Sequence, residues 1–99
     1  MKLKDIKNLK QIKVLGKTYK ITWYCDDTPA DDGRMGYTDM RTSRIYLYQP
    51  LTEDSAAEVL VHEVLHILNE TLQVDLAESD MVRLGSGVTA FLLDNGVLP

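Results

Sequence analysis

The segment His62-Glu63-Val64-Leu65-His66 sets two imidazoles four residues apart, with a carboxylate directly after the first. Imidazole nitrogen is a ligand for divalent transition metals, and a carboxylate beside such a metal can move protons. On an α-helix the two histidines lie about 40° apart around the axis and about 6 Å apart along it. Both can then reach one ion through bonds of about 2.0–2.1 Å. Glu63 falls about 60° from His66, beside the ion, where it can take a proton from a metal-activated water and pass it to a leaving amine. The three fixed positions coincide by chance in fewer than about one chain in 100 of this length, so the pattern points to a bound metal. Ligand type makes Zn2+ the expected ion.

A hydrolytic zinc needs a third protein ligand and one open position. The chain has only two histidines, so the third ligand is expected to be a downstream carboxylate: Glu70, Asp75, Glu78 or Asp80. Glu70 would bring three successive turns of one helix onto one ion, which strains the coordination. Glu78 can approach from another direction once the chain reverses near Asp75. It is the favoured ligand, with Asp80 and Asp75 behind it. Glu78 also has an ordinary use, since an acid in a first helical turn complements the helix dipole.

The elements that must position these groups follow from pattern. Thr52 is a good N-cap, and Glu53 and Asp54 suit the positive end of a helix, which is predicted from about Glu53 to about Leu72. With His62 as zero, Leu60, Val61, Val64, Leu65, Ile67 and Leu68 occupy an arc of roughly 140–300°, the expected core face. The histidines and Glu63 fall at roughly 0–100°, with Val59 and Glu70, so this stripe should line a cleft or face solvent. A second helix is predicted from about Ala77 to Leu93, ending at Asp94-Asn95-Gly96.

Upstream the period changes to two. Ile12 and Val14, then Tyr19, Ile21 and Trp23, read as strands joined by a tight turn at Gly16-Lys17. Met35 to Thr38 and Ile45 to Tyr48 read as two more, around the turn containing Asp39. Asp26 to Gly33 reads as a loop whose four aspartates lack the spacing of a calcium-binding EF-hand. Strands followed by helices imply an α+β domain: a small, mostly antiparallel sheet of three to four strands packed on the histidine helix and a second, C-terminal helix.

Ninety-nine residues make one domain, 1–99. The net charge of −4 hides an asymmetry: residues 1–20 carry seven lysines against one acid, and the remainder carries four arginines against 14 acids. Residues 1–10 are therefore expected to be a basic, mobile arm. An acidic whole with few aromatics argues against a nucleic-acid partner. No apolar run of about 18 residues is present to span a membrane. Cys25 is the single cysteine, expected to be a packed thiol, and no signal peptide is evident. Both observations point to the cytoplasm.

The segments GYTDMRTSRIYLY, VLVHEVLHILNE and LAESDMVRLGSGVTAFLLDN resemble small phage- and prophage-encoded zincin-like metallopeptidases over roughly residues 35–96. The resemblance implies the gluzincin arrangement, an HExxH helix plus a glutamate, also seen in the related ImmA/IrrE-type peptidases. By position that glutamate falls on Glu78. The resemblance further implies a minimal zincin-like core, a protein or peptide substrate, and a bacterial or phage-infected cell. In zincins an edge strand pairs with the extended substrate, and here that edge would be Met35–Thr38 or Arg44–Tyr48. Tyr46 or Tyr48 would then be an oxyanion donor. The rival expectation is a non-catalytic, zinc-stabilised module serving phage assembly or host interaction.

Overall fold

A computed structural model describes residues 3–25 and 35–96. The described chain is a four-stranded sheet covered on one face by helices, an α+β arrangement. Strands β1 (Gln11–Val14), β2 (Lys17–Tyr24), β3 (Gly36–Asp39) and β4 (Arg44–Tyr48) are followed by helices α1 (Glu53–Leu72) and α2 (Glu78–Asp94). The aspartate-rich stretch 26–33, considered above for calcium, lies outside the described residues.

The first hairpin turns at Leu15-Gly16, one residue earlier than the sequence pattern predicts, with φ of 53° and 81°. Two left-handed residues give the turn whose twist matches the flanking strands. Sheet order is β1-β2-β4-β3, so two of the three pairings are antiparallel and β2–β4 is parallel. That parallel pair arises because β4 folds back from β3 and slots between it and β2, leaving β3 at an edge. The β3–β4 turn is fixed by Asp39, whose carboxylate accepts the N–H groups of Arg41 and Thr42. Desolvation acts to raise the Asp39 pKa, but these donors and the Arg41 charge outweigh it and hold it below the usual value.

Alternation along the strands sorts the two faces. Tyr19, Ile21, Ile45 and Leu47 are buried towards the helices, where Ala56, Ala57, Leu60 and Ile67 of α1 meet them. The opposite face carries Thr22 bonded by Arg44, and the ring pairs Tyr24–Tyr48 and Tyr37–Tyr46. Residues Leu3–Asn8, expected to belong to a mobile arm, instead form a 3-10 helix packed on α1. Ile6 is fully buried in the core, and Lys7 donates to the Gln49 carbonyl at 2.7 Å. The lysines mask an apolar spacing, Leu3-Ile6-Leu9, that suits one side of so tight a helix.

Candidate metal centre

Helix α1 begins where Thr52 accepts the Ser55 N–H, and it runs over the predicted span. It ends at Gln73, whose left-handed backbone returns its N–H to the Asn69 carbonyl. Asn69 then anchors the connection: its Oδ1 accepts the Leu76 N–H at 2.8 Å. The chain reverses through Asp75, itself at φ 68°, and α2 starts with Glu78 in its first turn. Asp80 receives the Ala77 N–H and pairs with Arg83, so it serves the helix start.

The two helices approach closely at Gly85. A β-carbon there would sit 3.7 Å from the His62 Cα and from the Leu65 Cδ1, in ordinary van der Waals contact. Close approach brings Glu78 over the histidine pair. Its Oε1 lies 2.9 Å from His62 Nε2 and its Oε2 lies 3.1 Å from His66 Nε2, while the two ring nitrogens are 3.0 Å apart. Four-coordinate zinc with bonds of about 2.0–2.1 Å separates its ligand atoms by about 3.3 Å, and the two ring nitrogens and the Glu78 carboxylate oxygens nearest them stand near that spacing. Two imidazole nitrogens and a carboxylate gathered in this way are a donor set suited to a cation. Among the described residues, His62, His66 and Glu78 are the one group of three metal-binding side chains so placed. Asp75, Asp80 and Glu70 stand outside it.

Glu63 lines the cleft with the histidines, as the helical wheel predicts, but is set deeper than they are: it is 6% exposed, with Thr38 Oγ1 donating to its Oε1 at 2.8 Å. The cause is the closeness of β3: a β-carbon on Gly36 would come within 2.7 Å of Val59 Cγ1, so only glycine lets the edge strand lie this near α1. The buried arc of α1 therefore starts near Glu63, at about 100°, rather than at about 140°. Thr38 carried no sequence signal beyond its place in a strand.

A cleft of about 450 Å³ opens over these groups. Met35, Met40, Val59 and Val82 supply apolar walls, and Glu58, Glu63, Glu70 and Glu78 line it together with both histidines. Tyr46 and Tyr48 are not among its lining residues. They lie on the sheet face turned away from α1, because Ile45 and Leu47 occupy the inward positions between and beside them. Neither is placed to serve an oxyanion. Cys25, expected to be packed, is exposed and also outside the cleft lining. Among the described residues no helix is long and apolar enough to cross a membrane. In comparisons with known proteins, no family model, no curated protein and no solved structure matches this chain.

Proposed function

We propose that this chain is a zinc-dependent peptidase of the gluzincin kind, in which His62, His66 and Glu78 hold the metal and Glu63 moves the protons. The observation that carries this reading is the convergence of the two ring nitrogens and the Glu78 carboxylate to about 3 Å beside a buried, hydrogen-bonded glutamate. Zinc at such a site supplies Lewis-acid chemistry, polarising a carbonyl and making water acidic near neutral pH. The protein's own groups divide the remaining work. The imidazoles and Glu78 approach from two helices and leave the cleft side open. Thr38 fixes Glu63 through Oε1, so Oε2 is the oxygen that takes the proton from water. As water adds to the carbonyl carbon and the C–N bond breaks, that proton passes to the departing amine. Among the described strands, β3 is unpaired along the edge beside the cleft, with backbone donors and acceptors for an extended peptide.

One observation favours a second reading, a non-catalytic zinc-stabilised module. Among the described elements α2 packs mainly on α1, so a metal bridging the two would hold α2 in place. Glu63→Gln separates the two readings. The peptidase keeps stoichiometric zinc by metal analysis, and its cleavage of a mixed-sequence peptide pool, read by mass spectrometry, falls by about 10²–10⁴. Undiminished cleavage in the variant, or none in the zinc-loaded parent, defeats the catalytic reading.

A further inference from the structure

Glu58, His62, His66 and Glu70 are spaced four residues apart along α1, and all four line the cleft. The midpoint of the two glutamates coincides with that of the two histidines, each glutamate lying about 9 Å along the axis from it. Both are exposed, and no ion pair to either is found among the described residues. Among the described residues, the lining contains no lysine or arginine. With Glu63 and Glu78 included, four carboxylates outweigh the charge of one divalent ion.

The direction of β3 gives these positions a meaning for a bound chain. Gly36 abuts Val59, and Thr38 bonds Glu63. Two residues along β3, about 6.6 Å, thus match four along α1, about 6 Å, so strand and helix run side by side in the same sense. Tyr48 N–H donates to the Met35 carbonyl, and the ladder alternates from there. Tyr37 therefore bonds inward to β4, while the backbone groups of Gly36 and Thr38 point away from β4, to the edge that no other described strand pairs with. An extended peptide on that edge would run past Glu58 and the histidine pair and, continued beyond Asp39 in the same direction, towards Glu70. At about 3.3 Å per residue, each glutamate meets a side chain two or three positions from the bond over the metal.

We propose that the cleft selects cationic peptides, with lysine or arginine two or three residues to each side of the cleaved bond; this rests on the peptidase reading above. Apolar side chains nearer the bond meet Met35, Met40, Val59 and Val82.

The test uses zinc-loaded Glu63→Gln protein and three peptide sets sharing an apolar centre, with lysine, glutamine or glutamate at those flanking positions. Affinity is measured by fluorescence anisotropy at low and moderate salt. The lysine set is expected to bind about tenfold tighter than the glutamate set, with the margin shrinking as salt rises. Glu58→Gln/Glu70→Gln is expected to bring the sets within about twofold, and Glu58→Lys/Glu70→Lys to invert the order. Equal affinities, no binding by any set, or a preference unchanged in the double glutamine variant overturns the proposal. Zinc content and the circular dichroism spectrum of each variant verify that it is folded and loaded. The zinc-loaded parent is then incubated with the lysine set: binding preference without cleavage upholds the cationic selectivity and defeats the peptidase reading alone.

Discussion

Helix α1 is packed on two sides, and the two seams are built differently. Against the sheet, Ala56, Ala57, Leu60 and Ile67 join Tyr19, Ile21, Ile45 and Leu47 in one continuous core, with Ile6 closing it. Against α2, burial is confined to Met81, Gly85 and Thr89, none of which belongs to that core. Val82, Leu84, Val88 and Phe91 remain exposed on α2. Thr89 spends its hydroxyl on the Gly85 carbonyl of its own helix. Two of the three proposed metal ligands therefore sit on an element fixed by hydrophobic burial. The third comes from a helix that buries only Met81, Gly85 and Thr89. If the proposed metal binds, the difference implies that it meets a preorganised histidine pair and that its hold on Glu78 helps to fix α2.

The largest effect that can break this comparison is a pair of truncations. Leu47→Ala removes a fully buried side chain from the sheet seam and is expected to cost about 2–5 kcal/mol in urea unfolding. Leu84→Ala, on the outward side of α2, is expected to change stability by no more than about 0.5 kcal/mol. Equal costs would mean that α2 shares the main core after all.

Metal removal sharpens the same contrast. With free zinc at 100 times its dissociation constant, binding stabilises the folded state by about 2.7 kcal/mol. Hydrogen exchange after chelation should show where that energy resides. Amides of α2 are expected to lose protection, and those of β2 and β4 to keep theirs, because the ion ties α2 to a body that stands without it. Loss spread evenly over sheet and α2 would show that the two layers unfold as one.

The same contrast explains what was legible beforehand. The span of α1, the second helix to within a residue, and the spacing of His62 and His66 were all readable, because helical periodicity and capping act locally. The approach of Glu78 to the histidines was readable as well, since a chain reversal near Asp75 lets the start of the second helix return to them. The parallel pairing of β2 with β4 was not, because the pleat alternates identically whichever way a neighbour runs. For the same reason Tyr46 and Tyr48 could be set on one face, but not on the face away from the site. Ile6 was hidden by flanking lysines whose charges dominate composition while their stems leave the apolar spacing intact. Burial of Glu63 was illegible because it follows from the glycine at position 36, twenty-seven residues earlier, letting β3 close on the helix.

That closeness gives the smallest and most specific effect. Thr38 reaches Glu63 from the sheet seam, so it tests whether the well-packed side of α1 also sets the proton-moving group. Thr38→Val keeps the shape and removes the donor, leaving a buried carboxylate short of one hydrogen bond at roughly 1–2 kcal/mol. Zinc content should be unchanged, since Thr38 touches none of the three ligands. Against any cleaved peptide, kcat should fall while KM holds, because the loss falls on the orientation of Glu63 and not on peptide binding. Thr38→Ser restores a hydroxyl at the same distance along the side chain and should recover most of the rate. If valine and serine variants behave alike in both stability and kcat, the hydroxyl plays no part in positioning Glu63. The seam would then act by excluding water around the glutamate, and its orientation would have to come from the metal side of the cleft.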